Sequence, residues 1–311
     1  MPSESLLRPL DRAVQHLLRE LNPAVSEPVL QLAALASWQV GQGHACVDLD
    51  DLPLRGDPAL AAVHALDAQV LRAALERDPL AASPDRIDAK TLLVIDGTRI
   101  YLRRYFDYEQ RIIRALKTRL AAPREPAERL APVIGALFPA AAAEIDWQKI
   151  ACAIAAGGRV AIITGGPGTG KTTTVVRVLG VLQTLAMEGD GVPLRIGLAA
   201  PTGKAAARLG ESIAGQVATL HVSDAVRAQL PTSVTTLHRL LGRRRGSRLP
   251  LHDASAPLPH DVVIVDEASM LDLEMMARLL DALRPEARLI LLAPASKDER
   301  GPFPGVRPRG R

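Results

Sequence analysis

Residues 165–172 read GGPGTGKT, of the form G-x-x-x-x-G-K-[ST]. They lie between the apolar run RVAIIT (159–164) and TTTVVRVLGVLQTLA (172–186), which has helix-forming character. A strand that turns through such a loop into a helix restricts the fold more than any other feature. Gly165, Gly168 and Gly170 let the backbone turn tightly and aim its N–H groups at phosphate oxygens. The helix starting near Lys171 adds its positive end. Gly165, Gly166, Pro167, Gly168, Thr169, Gly170, Lys171 and Thr172 therefore form a candidate triphosphate site. Lys171 is expected to reach the β- and γ-phosphates, and Thr172 to place its hydroxyl on Mg²⁺.

The complementary feature is VVIVDEAS (262–269). Four apolar residues predict a buried strand ending in Asp266 and Glu267. Asp266 is the expected Mg²⁺ partner, and Glu267 is placed to orient and deprotonate an attacking water. Two adjacent acids favour hydrolysis over transfer to a hydroxyl, which argues against a nucleotide kinase. The competing role, capping the helix that follows at 270–283, fits Asp272 better than Asp266.

The chain divides by pattern. Residues 3–20 predict an amphipathic helix, capped by Ser3, with Leu6, Leu10, Val14, Leu17 and Leu18 on one face. Helices are expected over 32–40, 57–77 and 106–121. Two apolar runs around Asp96-Gly97 (91–105) predict a hairpin. Prolines in AAPREP mark a linker at 121–130. Residues 1–120 thus form an expected small, mainly helical domain. His16, His44 and His64 are scattered within it and read as structural. Beyond the linker, 131–292 predicts an α/β lobe with a parallel sheet, its strands at 159–164, 194–200, 261–266 and 288–292. Residues 293–311 hold four Pro, three Gly and four Arg, and are expected to be disordered.

Charge is uneven. Residues 1–100 carry nine Lys+Arg against 14 Asp+Glu, and the remainder 29 against 20, so the basic part suits a polyanion. Two cysteines exclude a disulfide framework, and both Cys46 and Cys152 read as small hydrophobes. No uncharged apolar run is long enough to span a membrane, and the N-terminus lacks a signal-peptide block, so a cytoplasmic location is expected. In APTGKAAARLGESI (200–213), Pro201, Thr202 and Gly203 turn into a helix N-terminus, a seat for a backbone phosphate; Lys204 and Arg208 lie one turn apart. A solvated loop with a basic face explains this segment equally well. Arg239, Arg243, Arg244, Arg245 and Arg248 follow in TTLHRLLGRRRGSR (235–248), where nucleic-acid phosphates and a solvated loop again compete.

Taken together, GGPGTGKTTT, LAAPTGKAAARLGESI, TTLHRLLG and VVIVDEASMLD resemble, in order and spacing, the motor core of the RecD family, superfamily 1 helicases that serve as alpha subunits of exodeoxyribonuclease V. GHACVDL (43–49) and LLVIDGTRIYLRRYFDYEQ (92–110) resemble the region by which such subunits dock on RecC. The resemblance covers about residues 1–292. It implies a P-loop, RecA-like lobe, ATP with Mg²⁺, single-stranded DNA from duplex ends, RecB-like and RecC-like partners in a heterotrimer, and 5′→3′ translocation. It further implies that Gln148 reads the adenine edge, and that Thr202, Gly203, Lys204 and His238 line the DNA track.

After Leu292 the sequence departs from the family. The expected Gly-Asp-x-x-Gln segment and the second motor lobe have no counterpart, and the Pro/Arg/Gly-rich ending reads as out-of-frame coding or a truncated gene. The chain alone is therefore expected to hydrolyse ATP weakly or not at all. The alternative is an inactive assembly fragment that binds a RecC-like partner.

Overall fold

The computed structural model describes residues 5–138, 145–166, 168–243, 246 and 250–294. Two compact units divide between Gln110 and Arg111, upstream of the proline-marked stretch. The expected disordered tail, apart from Ala293 and Pro294, lies outside the described residues, as do Ser3, Pro167, Arg244, Arg245 and Arg248.

The first unit holds α1 (Pro9–Leu21), α2 (Glu27–Gly41), α3 (Ala61–His64) and α4 (Ala68–Glu76), with strands β1 (Val47–Asp48), β2 (Ala81–Ala82), β3 (Leu93–Asp96) and β4 (Arg99–Leu102). Helix α2 is buried from Val29 to Ser37 because it is apolar on nearly every face. The sheet order is β1-β4-β3-β2. The hairpin forms with Asp96 opposite Arg99, so its two turn residues are Gly97 and Thr98, one position later than expected. Gly97 takes the left-handed conformation (φ 64°) that a Gly-first turn requires.

Two expectations in this unit need correction. The helix expected over 57–77 is broken after His64, because Asp67 accepts from Val70 N (2.8 Å) and caps a new helix, α4. The helix expected over 3–20 begins only at Pro9, so Leu6 precedes it; Leu18 is buried, but Leu6, Leu10 and Leu17 are exposed (48–65%). A polar anchor sets the helix orientation instead. Asp11 is fully buried, and its Oδ1 accepts from Ser37 Oγ (2.6 Å) and Arg8 Nη2 (2.7 Å); the same Nη2 donates to Ser37 O at 2.7 Å. Satisfying that carboxylate outweighs burying the leucine stripe.

Helix α5 (Arg103–Ala121) carries the chain into the second unit, followed by α6 (Ala127–Leu137), α7 (Trp147–Gly157), β5 (Val160–Thr164) and α8 (Lys171–Gly189). Then come β6 (Ile196–Ala200), α9 (Gly203–Thr219), α10 (Asp224–Ala228), β7 (Thr235–Thr236), α11 (Leu237–Leu241), β8 (Val262–Val265), α12 (Leu273–Ala282) and β9 (Arg288–Ala293). The sheet is parallel throughout, in the order β5-β9-β8-β6-β7. The four expected strands are all present. The sequence pattern missed β7, which is too short to show a period. Strand β8 is buried at every position, as its unbroken apolar run requires. One face of the sheet packs on α6, α7, α8 and α9, the other on α5, α11 and α12. The fold is therefore α/β, a P-loop lobe after a mainly helical unit with a hairpin.

Candidate nucleotide site

In a parallel sheet every strand delivers its C-terminal end to the same edge. Strand β5 ends at Thr164 and opens into the glycine loop; β8 ends at Val265 and opens into Asp266-Glu267. Strand β9 lies between them. The loop and the acidic pair are thus brought to one edge, separated by a single strand.

The loop conformation is the one its glycines permit. Gly168 (φ 76°) and Gly170 (φ 80°) are left-handed. A Cβ on Gly165 would lie 2.5 Å from Thr169 Oγ1, and one on Gly170 would lie 2.3 Å from Gln148 Nε2. Helix α8 begins at Lys171 with Gly170 as its cap residue. The Lys171 ammonium folds over the loop and donates to the carbonyls of Gly165 and Gly166, the latter at 2.9 Å. It is half-buried, and its present partners are weak neutral acceptors that a phosphate would outcompete.

Gln148 lies on α7, whose first turn is capped by Asp146 through Lys149 N (3.0 Å). Its Nε2 donates to Thr169 O (3.3 Å), and its Oε1 accepts from Arg177 Nη1 (3.2 Å). Arg177 also stacks on Phe138, 4.3 Å from the ring centroid. Sequence reasoning singled out neither Arg177 nor Phe138; an arginine inside an apolar helix face is a weak signal. Arg288 was also missed. At the start of β9 it donates to Ala156 O (2.7 Å) and Gly158 O (2.5 Å), closing the C-terminus of α7 and fixing the helix that carries Gln148. Cys152, on the same helix, is fully buried, and burial pushes its thiol up to about 12. It is therefore a small hydrophobe, with no thiolate to offer.

Asp266 Oδ1 accepts from Glu267 N (2.9 Å). Glu267 itself is left-handed (φ 49°), an uncommon conformation for a side-chain-bearing residue, and starts a short 3₁₀ turn at 268–270. That turn ends the strand abruptly and leaves both carboxylates at the sheet edge. Asp272 caps α12 by accepting from Met275 N (2.7 Å), so the capping role falls to it and not to Asp266. Among the described residues, Thr172 Oγ1 and Asp266 Oδ2 make no hydrogen bond. A hydroxyl and a carboxylate are the hard oxygen donors that Mg²⁺ takes, with phosphates and water completing its shell. Among the described residues there is no group of three or more His, Cys, Asp or Glu that could hold a metal ion.

The second set of expected residues lies further along the same edge. Strand β6 leads into Pro201 and into α9, whose first turn holds Gly203 and Lys204. Thr202 caps that helix by accepting from Ala205 N (3.2 Å). Ala200 pairs with Thr236 of β7, so α11, with His238, starts beside Pro201. Thr202, Gly203, Lys204, His238, Arg239 and Arg243 are all exposed.

Loop, inserted strand and acidic pair define a P-loop nucleotide-binding unit, and residues 148–294 match the family described as AAA domain. Residues 3–101 match that described as RecBCD enzyme subunit RecD, N-terminal domain. The chain belongs to the RecD family. The RecBCD enzyme subunit RecD of Mycobacterium tuberculosis (strain ATCC 25618 / H37Rv) is 41% identical over 284 residues, 87% of this chain and 44% of that one. The subunit of the same name from Mycolicibacterium smegmatis is 39% identical over 295 residues, 93% and 50% respectively. The ATP-dependent RecD2 DNA helicase of Deinococcus radiodurans is 35% identical over 195 residues, 62% and 23%. The chain thus spans about half the length of the RecD subunits it matches. Among solved structures, the HK97 bacteriophage large terminase gives a TM-score of 0.30 at 16% identity, over 53% of this chain and 36% of that one, too slight a likeness to bear on the fold.

Proposed function

We propose that the chain is the front half of an ATP-driven 5′→3′ DNA helicase subunit of RecBCD type, binding ATP with Mg²⁺ at the loop of residues 165–172. The observation that carries this is the delivery of the Lys171 loop and the Asp266-Glu267 pair to one sheet edge, across the single strand β9. In this reading Lys171 and the loop N–H groups neutralise phosphate charge, and Thr172 with Asp266 holds the metal. Glu267 accepts the proton of the attacking water. Gln148 offers the adenine edge a donor and an acceptor on one amide. Pro201, Thr202, Gly203, Lys204 and His238 form the seat for single-stranded DNA. The partners are RecB-like and RecC-like subunits in the cytoplasm, the RecC-like one met by the chain's N-terminal region.

ATP hydrolysis by this chain alone is expected to be slow, little stimulated by single-stranded DNA, and without unwinding. The match of residues 3–101 to a RecD N-terminal domain supports a second reading, an inactive assembly fragment that binds a RecC-like partner. Steady-state ATPase assays with and without single-stranded DNA, beside a RecC pull-down, test both. RecC binding without any ATP binding supports the fragment reading; robust unwinding by the chain alone overturns the expected weak activity.

A further inference from the structure

Arg177 is out of keeping with its helix. Thr174, Val175, Val176, Val178 and Leu179 around it in α8 are buried, and Arg177 is half-buried among them. A charge in such a place loses solvation unless a partner offsets the loss. Among the described residues no carboxylate pairs with it. Its partners are the Gln148 amide oxygen, 3.2 Å from Nη1, and the ring of Phe138, 4.3 Å from Cζ. Phe138, the residue that ends α6, is buried in the core, so the shelf beneath the guanidinium is fixed.

A guanidinium only donates, and a main-chain carbonyl only accepts. The Gln148 amide stands between one of each: Oε1 accepts from Arg177, and Nε2 donates to Thr169 O (3.3 Å). Turning the amide over would set N–H against N–H at Arg177 and oxygen against oxygen at Thr169. The two neighbours therefore admit one orientation. They use one lone pair of Oε1 and one proton of Nε2, and leave one of each. Adenine offers the complement, an N6–H donor beside the N7 acceptor, whereas a 6-oxopurine offers two acceptors. An amide fixed in one orientation meets the first with two hydrogen bonds. It meets the second with one hydrogen bond and one oxygen–acceptor repulsion.

We infer that Arg177, held over Phe138, is a positioning residue that sets the preference of the site for 6-aminopurine over 6-oxopurine nucleotides by locking the Gln148 amide. The inference rests on the reading of Gln148 as the group that meets the base. It requires no contact between Arg177 and the nucleotide. The donor-only chemistry of the guanidinium acts through the amide oxygen, and the aromatic shelf keeps the guanidinium from swinging away.

The test is calorimetric titration of the full chain with ATP, ITP and inorganic tripolyphosphate, each with Mg²⁺. ITP carries an oxygen where ATP carries the adenine amine. The parent is expected to prefer ATP by about tenfold or more, on the scale of one hydrogen bond exchanged for an unpaired acceptor. Arg177→Met keeps an unbranched side chain against Phe138 but donates nothing. It is expected to bring the preference within about threefold by weakening ATP alone, with tripolyphosphate binding unchanged. Arg177→Lys, which can still donate to Oε1, is expected to retain the preference. In a Gln148→Ala background, Arg177→Met is expected to change the preference no further. Equal losses for ATP and ITP, a preference that survives Arg177→Met, or a further loss in the Gln148→Ala background would overturn the inference. So would loss of tripolyphosphate binding with a lowered Tm in Arg177→Met, which would assign Arg177 to the fold of the loop. A parent chain that binds none of the three ligands would fail the nucleotide reading itself and the inference with it, whereas ATP binding with an unaltered preference fails the inference alone.

Discussion

Gln148 ties the phosphate loop to the helix behind it, donating to the Thr169 carbonyl at 3.3 Å while accepting from Arg177 at 3.2 Å. The amide thereby links the loop to Arg177 of α8, and in the proposed reading it also meets the base of a bound nucleotide. Gln148→Ala is expected to weaken ATP binding about tenfold, roughly 1.4 kcal/mol, while GTP binding changes less. Calorimetric titration of both nucleotides measures the difference. An equal loss for both would assign Gln148 to loop positioning alone.

Glu267 combines a left-handed backbone with the second carboxylate of the pair. Glu267→Gln keeps the shape and is expected to retain ATP binding while abolishing hydrolysis. Glu267→Gly is expected to be about 1 kcal/mol more stable than Glu267→Ala, because glycine adopts this conformation without steric cost. Urea unfolding of the two variants, paired with a phosphate-release assay on the first, separates the backbone contribution from the chemical one.

Gln183 is fully buried in α8, and neither atom of its amide has a hydrogen-bond partner. Such an amide costs about 1–3 kcal/mol. Gln183→Met is therefore expected to raise stability by about 1 kcal/mol, read as a higher urea midpoint at constant slope. A lower midpoint would show that the amide is satisfied by internal water.

The acid anchor of α1 gives a pH signature. Burial opposes ionisation of Asp11, but hydrogen bonds from Arg8 and Ser37 and the Arg8 charge prevail and hold the carboxyl below its ordinary 3.8. A depressed folded-state pKa stabilises above the unfolded value and loses that contribution as pH falls through the folded one. The N-terminal unit is expected to keep this contribution at neutral pH and to shed it below about pH 4. Asp11→Ala should remove about 3 kcal/mol at pH 7 and flatten that acid dependence. An unchanged acid limb in the variant would refute the assignment.

Much of the second unit was legible because its signals are local. Glycine at fixed offsets, four-residue apolar runs and acids at a strand end each encode one backbone event, and β5, β6, β8, β9 and the loop followed from them. The capping role of Asp272 was legible for the same reason. Tertiary choices were not. The periodicity of Leu6, Leu10 and Leu17 showed a helix face but not which way it turns, which the buried Asp11–Ser37 bond decides. The break after His64 depended on one side chain capturing one amide. Arg177, Phe138 and Arg288 bear on Gln148 only after α6, α7, α8 and β9 have been brought together, so no spacing along the chain announces them.

The central claim concerns a triphosphate at the Lys171 loop, and isothermal titration calorimetry with a non-hydrolysable ATP analogue and Mg²⁺ tests it most directly. One site per chain is expected, lost in Lys171→Ala and weakened in Asp266→Asn, with both variants as stable as the parent. Absence of binding to the parent chain, or equal binding by Lys171→Ala, would contradict it.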